Sequence, residues 1–299
     1  MEKKITVVTH SSGFHTDDIF AMATLLLMLG KEVKVEVVRT RNMEIIDKAD
    51  YVVDVGGVYN VEKKRFDHHQ TGGAGKRDNG IPYASFGLVW KTYGIDLCES
   101  LQAAQKIDQM IVQPIDALDN GIQFQETKIP GLHSFDISSI PFLFYPTWKE
   151  DHTKIDDTFL ELVSYAKGLL ERAIVSTREK LEAEKLVEEI YLSSNDKRLI
   201  ILPNSRYPWE EVLSKFHEPL YVVYKNITDD TWALKGVRSD LFNYETRKKL
   251  PEDWAGKSGE ELEKITGVKG AVFCHNARFM AVAKTKEAIL QMAEIALNK

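Results

Sequence analysis

Ile5-Thr6-Val7-Val8-Thr9-His10-Ser11-Ser12-Gly13-Phe14-His15-Thr16-Asp17-Asp18 decides the fold. A β-branched run predicts a short strand over Ile5 to His10, closed by the polar turn Ser11-Ser12-Gly13. A helix then starts near Thr16, a suitable N-cap, with Asp17 and Asp18 in its first turn. Ile19 to Leu29 is apolar nearly all round, which predicts a buried helix, and Gly30 ends it. Val33 to Val38 and Tyr51 to Val55 read as the next strands, the latter running into Asp54-Val55-Gly56-Gly57. Strand, helix, strand and strand, with charges gathered at strand ends, predict an α/β fold. Its sheet would be open and mainly parallel, with helices on both faces. Ligands of such sheets bind at the carboxyl edge, where the loops collect.

Downstream, Arg65-Phe66-Asp67-His68-His69-Gln70 puts an acid and two imidazoles on consecutive residues. Adjacent histidines cannot share one face of a helix or strand, so the triplet belongs where a strand ends and the chain turns. Helical periodicity resumes over Ala84 to Tyr93, ending at Gly94, and again over Leu101 to Ile115, leading into Asp116-Ala117-Leu118-Asp119-Asn120-Gly121. Gln123 to Lys154 has poor patterning, and Pro141-Phe142-Leu143-Phe144 within it reads as a packed loop or lid. Asp156 to Tyr191 is a long amphipathic helix, apolar at Phe159, Leu162, Ala166, Leu169, Ala173 and Ile174. Leu199 to Leu202, Leu220 to Tyr224, Trp232 to Val237 and Ala271 to Cys274 read as strands of a smaller α/β domain, closed by a helix over Lys286 to Leu297. The expected division is a first domain over 1–155, a connector helix over 156–195 and a second domain over 196–299.

At 299 residues the chain is long enough for two cores. With 43% apolar and 28% charged residues it has the composition of an ordinary soluble protein. The longest apolar run, Ile19 to Gly30, is too short to cross a bilayer, and the N-terminus enters a strand without a signal segment; a cytoplasmic location is expected. Cys98 and Cys274 form neither a disulfide framework nor a zinc ribbon and read as small buried hydrophobes. The net charge of −6 argues against wholesale electrostatic binding to nucleic acid, though not against a local basic groove.

His10, His15, Asp17, Asp54 and His68 fall at ends of strands or starts of helices. Any one has an ordinary explanation: Asp17 and Asp18 favour a helix N-terminus, Asp54 caps a turn, Asp116 ends a helix. Together they are harder to dismiss. Imidazole with carboxylate suits manganese, cobalt or zinc better than calcium. The ligands are too many for one tetrahedral ion, whereas two ions bridged by one carboxylate would use them. Such a pair activates water and clamps the oxygens of a phosphoryl group.

These residues carry a resemblance. Thr9 to Asp18, Asp54-Val55-Gly56-Gly57-Val58-Tyr59, Arg65 to Gln70 and Ile115 to Gly121 resemble the four N-terminal motifs of the Myg exonuclease family. That family belongs to the DHH phosphoesterase superfamily, with RecJ-type exonucleases and the manganese-dependent family II pyrophosphatases. Arg247-Lys248-Lys249-Leu250-Pro251-Glu252-Asp253-Trp254-Ala255-Gly256 resembles the family's Arg-x-x-Leu-Pro-x-x-Trp-x-Gly. Gly267 to His275 resembles its Gly-x-x-Gly-x-x-Phe-x-His. Where relatives commonly place paired glycines after this histidine, the chain has Phe279-Met280-Ala281-Val282-Ala283.

The resemblance implies that His10, His15 and Asp17 are ligands of the first motif, although their spacing departs from the commoner His-x-x-x-Asp-x-Asp. It implies that Asp54 is the bridging carboxylate, that His68 binds the second ion and that His69 touches phosphate; Asp54, His68 and His69 form the catalytic set. Asp116 is taken as the last ligand, with Asp119 competing. Asp18 and Asp67 either ligate or support a ligand. In the second domain Arg247, His275 and Arg278 would hold substrate phosphate. The implied activity is a divalent-metal phosphodiesterase with two Mn2+ ions in an interdomain cleft. It would be a 3′-5′ exonuclease on RNA or short oligonucleotides. Stacking of Trp209, Trp232 or Trp254 on bases would favour polynucleotide; a small, highly charged pocket would favour pyrophosphate or another small phosphate ester. A non-catalytic nucleotide- or metal-sensing module is the reading from another class. An apolar face on the long helix would serve a homodimer or domain packing equally well.

Overall fold

A computed structural model of the chain describes residues 4–124, 129–132, 135–240 and 245–299. The chain forms two compact units, Met1–Arg178 and Glu179–Lys299. The division falls inside one continuous helix, Ile155–Ser193.

The first unit is built on a five-stranded sheet of β1 (Ile5–Thr9), β2 (Val35–Arg39), β3 (Tyr51–Val53), β4 (Tyr59–Asn60) and β5 (Arg65–Phe66), in the order β2-β1-β3-β5-β4. Every pairing is parallel except that of β4 with β5. The central strands bury Val7, Val8, Val52 and Val53 completely. The chain leaves β1 for β2 on one side and returns to β3 on the other, so the strand order reverses between β1 and β3. At such a reversal the loops diverge and leave a crevice at the carboxyl ends. His10 follows β1, Asp54 follows β3 and Asp67 to His69 follow β5, at this one edge.

Helix α1 (Thr16–Leu29) begins one residue earlier than expected, because His15 rather than Thr16 is its N-cap; Gly30 terminates it at φ 76°. Its face from Ile19 to Leu25 is buried, and it packs on α3. The short α2 (Met43–Lys48) is capped by Asn42. Helix α3 (Ser85–Cys98) does not stop at Gly94. A Cβ there would come 2.8 Å from the indole of Trp90, so this glycine serves close packing inside a helix rather than ending one.

The next helix is interrupted: α4 (Leu101–Ile107) passes through a π turn (Asp108–Val112) into α5 (Gln113–Asp119). Pro114, which cannot donate a backbone hydrogen bond, sits at the start of α5 and accounts for the wider turn. Of the stretch from 123 to 154, positions 125–128 and 133–134 lie outside the described residues. The rest contains a 3-10 turn (Ile137–Ser139) and α6 (Ile140–Leu143). Helix α7 (Ile155–Ser193) buries Phe159, Leu162, Val163, Ala166, Leu170 and Ile174 in this unit.

The second unit has a sheet of β6 (Leu199–Leu202), β7 (Tyr221–Lys225), β8 (Trp232–Gly236), β9 (Ala271–Cys274) and β10 (Met280–Ala283), in the order β6-β7-β8-β10-β9. Only β6 and β7 run parallel. Helices α8 (Trp209–Leu213), α9 (Gly259–Thr266) and α10 (Lys286–Asn298) complete it. The residues standing in place of the paired glycines form β10, whose Ala281 and Ala283 are buried in the core with Trp254, Leu262 and Met292. Both cysteines are buried. Among the described residues no helix is long and apolar enough to cross a membrane.

Candidate metal centre

Asp54 stands at the focus of the carboxyl edge. Its backbone turns left-handed at φ 54° directly after β3, and Gly56 and Gly57 continue the reversal with φ 94° and 68°. Aspartate tolerates this region better than most residues, and such backbone conformations concentrate where a side chain must be aimed. The two oxygens of Asp54 address different imidazoles. Oδ2 lies 3.3 Å from His10 Nε2, and Oδ1 lies 3.4 Å from His68 Nε2. Ser85 Oγ donates to Oδ1 at 3.0 Å.

The remaining groups fall into overlapping nests. His10, His15 and Asp54 form one, Asp54, His68 and His69 a second, and Asp17, His68 and Asp119 a third; in each, one ligand atom per residue lies within 4.8 Å of the others. Asp54 and His68 are each shared by two nests. His10 directs Nδ1 at the carbonyl of Ser11, 3.2 Å away, which leaves Nε2 to face Asp18 and Asp54. The buried atoms His68 Nε2 and Asp18 Oδ2 have carboxylate or imidazole neighbours near 3.2 Å, but neither makes a hydrogen bond. Buried polar atoms are rarely left so. A cation accepting the lone pairs of an imidazole and several carboxylates accounts for them, and the donor set is the one first-row divalent ions prefer.

The order of α5 changes one assignment. Asp116, expected as the last ligand, is fully buried and turned elsewhere: Oδ2 accepts from Arg77 at 2.7 Å and Oδ1 from the Gly87 backbone N–H at 3.0 Å. Asp119, three residues on, places Oδ2 3.2 Å from His68 Nε2. Asp119 therefore stands with Asp17 and His68, while Asp116 lies against Arg77 and the start of α3.

These contacts run through the start of α3, which has no side-chain cap of its own. Asp17 accepts from the backbone N–H groups of Ser85 and Phe86 at 3.0 and 2.7 Å, and Asp116 takes that of Gly87. Carboxylates are favoured at a helix N-terminus, and these fix both the helix and the side chains. A Cβ on Gly87 would lie 1.9 Å from Asp116 Oδ2, so no larger residue fits. Arg77 completes the chain by pairing with Asp108 at the π turn as well as with Asp116, both at 2.7 Å.

Asp67 has both oxygens engaged by neighbouring donors. Oδ2 accepts from Gly57 N–H at 2.5 Å, and Oδ1 from the backbone N–H of His69, with its Nδ1 2.8 Å away. That contact holds the exposed His69 ring, whose Nδ1 also lies 3.4 Å from Asp54 Oδ1. Asp18 likewise accepts from the backbone N–H of His15 at 2.7 Å.

Charge balance explains the titration pattern. Burial opposes protonation of His10, yet the Asp18 and Asp54 carboxylates overcome it and push the ring up to about 10. Burial is likewise outweighed at His68 by Asp119 and Asp54, and the ring rises to about 11. Asp54 is held well below the usual range by the two imidazoles despite its burial. Asp17 rises, from burial first and then the carboxylates of Asp119, Asp54 and Asp116. Asp116 rises to about 7 through burial, against the pull of Arg77. The edge is thus an acid-rich nest balanced by imidazolium ions, the charge state a divalent cation would replace.

His15, Asp17, Asp54, His68, His69 and Asp119 line a cleft of about 600 Å³ together with Thr16, Ile115, Leu118, Asn120, Ser138 and Phe142. Sequence reasoning missed Arg39, Arg77, Ser85 and Tyr145. Arg39, at the end of β2, donates to the carbonyls of Ser12 and Gly13 and holds the loop that carries His10 and His15. It lies at the same sheet edge, and that position was the available signal. Tyr145 hydrogen-bonds both the N–H and the carbonyl of Phe14; nothing local in its sequence marks this.

In the second unit, Arg247 donates to the carbonyls of Pro219 and Ser214, at 3.0 and 3.1 Å. His275 accepts from Ala277 N–H through Nδ1 at 3.0 Å, and its ring lies 4.3 Å from that of Phe279. Arg278 sits at φ 62° in the turn between β9 and β10. The proposed stacking residues Trp209 and Trp254 are buried in the cores of this unit and cannot receive a base; Trp232 is half-buried beneath Lys286.

Comparison with known proteins agrees with the motifs. The family model MYG1_exonuc, described as an uncharacterised protein family (UPF0160), matches residues 6–297. The MYG1 protein of Dictyostelium discoideum is 30% identical over 99% of this chain and 97% of its own length. The MYG1 protein of Chlamydia muridarum is 30% identical over 98% of this chain and 97% of its own. The human protein named MYG1 exonuclease is 29% identical over 97% of this chain and 85% of its own.

Proposed function

This chain belongs to the MYG1 exonuclease family, and from that premise we propose that it is a divalent-metal-dependent phosphodiesterase that removes nucleotides from single-stranded RNA or short oligonucleotides, in the 3′ to 5′ direction. The observation that carries the metal part is the split address of Asp54, one oxygen toward His10 and the other toward His68. A carboxylate placed this way suits a bridge between two cations. His10, His15 and Asp54 would hold one ion, and Asp54, Asp17, His68 and Asp119 the other. Manganese fits the mixed imidazole and carboxylate set.

Bound ions supply Lewis acidity and lower the pKa of water, which makes a nucleophile available at neutral pH. The chain's own groups supply the rest. Asp54 keeps its negative charge between the two imidazoles, and Ser85 Oγ orients it. Asp17 is held by two backbone donors of α3, so its carboxylate is preorganised before anything binds. His69 is steered by Asp67, which also raises its pKa, burial acting against this. A protonated ring there would hold a phosphate oxygen or protonate the leaving oxygen as the P–O bond breaks. The apolar wall of Ile115, Leu118 and Phe142 favours a substrate larger than pyrophosphate.

The test is hydrolysis of end-labelled single-stranded RNA, single-stranded DNA and pyrophosphate with Mn2+, with EDTA, and in Asp54→Ala and His68→Ala. Stepwise shortening of RNA with Mn2+, lost in EDTA and in both variants, is expected. Activity that survives both substitutions would place the site elsewhere, and turnover of pyrophosphate alone would overturn the choice of substrate.

A further inference from the structure

Phe142 is 60% exposed, yet it lines the same cleft as Asp54, His68 and His69. It is one of a run of outward-facing apolar residues: Leu143, Phe144 and Trp148 follow it, and all are exposed. Several large apolar side chains exposed beside a polar site point to an occupant. The backbone beneath it is not casual. Pro141 is buried, and Tyr145 is bonded to both backbone groups of Phe14 while its ring packs edge-on against Phe142 at 5.7 Å. Phe14 is fully buried and lies in the loop that carries His10 and His15. The ring of Phe142 is therefore tied to the loop of the first motif.

We propose that Phe142 is the platform on which an unpaired nucleobase of the substrate stacks while its phosphate lies at the mouth of the Asp54 and His68 nest. This rests on the phosphodiesterase reading and adds a specificity element to it. Three observations choose this occupant. The cleft joins a cation-holding nest directly to an aromatic face, the pairing of chemistries found in a nucleotide. Among the described residues no guanidinium or ammonium lines the cleft. An aromatic face accepts any base, as an enzyme shortening strands of mixed sequence requires. The candidate tryptophans of the second unit are buried or covered, whereas Phe142 is open.

A short RNA with a non-hydrolysable linkage next to a terminal 2-aminopurine reports stacking by fluorescence quenching without turnover. The probe carries the label at the 3′ end in one preparation and at the 5′ end in another, and is read with Mn2+ present. The wild-type protein should quench one of the two, Phe142→Trp should retain quenching, and Phe142→Ala should lose it. Binding of a strand ending in a base should weaken about tenfold in Phe142→Ala relative to a strand ending in an abasic sugar. A Mn2+ titration of Phe142→Ala checks that the nest is intact. Absence of quenching at both ends in the wild type, or equal weakening for base and abasic strands in the variant, would overturn the proposal. Quenching without hydrolysis of the normal strand would leave the stacking assignment standing and remove the catalytic one.

Discussion

The two units solve different problems with similar amounts of sheet. In the second, the buried residues are almost wholly apolar, from Tyr221 and Leu234 to Trp254, Leu262 and Met292, and the buried polar residues described there are Thr246 and Thr266. In the first, Asp17, Asp18, Asp54, Asp67 and Asp116 are all buried, with His10. Burying ionised carboxylates is costly unless each is paired or hydrogen-bonded. The first unit meets that cost with backbone amides from the start of α3, with Arg77 and with imidazoles, and it leaves His68 Nε2 and Asp18 Oδ2 without a hydrogen bond. The second unit is organised by removing apolar surface from water, the first by directing charge at a point.

If the contrast holds, Asp54→Ala should have the largest effect. Activity should fall by more than the roughly 10–100-fold typical of a supporting residue, and calorimetric Mn2+ binding should disappear. Retained stoichiometric binding would break the comparison at its centre. Next comes Arg77→Met, which leaves Asp116 buried and unpaired. It should reduce Mn2+ affinity by about 10–100-fold and stability by about 3–5 kcal/mol in denaturant titrations. Gly87→Ala, by displacing Asp116, should move both quantities in the same direction.

pH provides a third test. A ligating imidazole must lose its proton, and in the metal-free protein His10 and His68 hold theirs up to about 10 and about 11. Mn2+ affinity should therefore rise with pH, by roughly tenfold per unit for each proton displaced. For the metal-free protein the sign reverses. The stability contributed by these raised imidazoles is complete below their unfolded pKa of about 6.5 and is lost as pH rises through the folded values. The smallest effect on the site should come from the second unit: Leu262→Ala should cost about 2–5 kcal/mol of stability while the Mn2+ isotherm stays where it was. A shifted isotherm would show that the two units are less independent than their interiors imply.

Much of this was legible in the sequence. Ile5 to Thr9 and Tyr51 to Val53 announce buried parallel strands by composition, and the residues that follow them reach one edge because the sheet is parallel. What stayed hidden depends on contacts between distant segments. Whether Asp116 or Asp119 faces His68 is set by the rotation of α5, which the π turn before Pro114 alters; no periodicity count reveals an added residue in a helical turn. Gly94 read as a stop because glycine often is one, and only the Trp90 indole against it explains its place in the helix. The strands β4 and β5, two residues each, are too short to leave a pattern, although β5 places the Asp-His-His triplet. Arg77 and Tyr145 act on partners 39 and 131 residues away.

The left-handed backbone at Asp54 also limits how the position can change over evolutionary time. Glycine, asparagine and aspartate enter that region most easily, so glutamate, although it keeps the charge, would meet both backbone resistance and an overlong reach. Asparagine meets neither obstacle. A duplicated copy released from selection would thus drift most readily to asparagine, keeping its sheet and crevice while losing the bridge, and would look folded and complete in every respect but one charge.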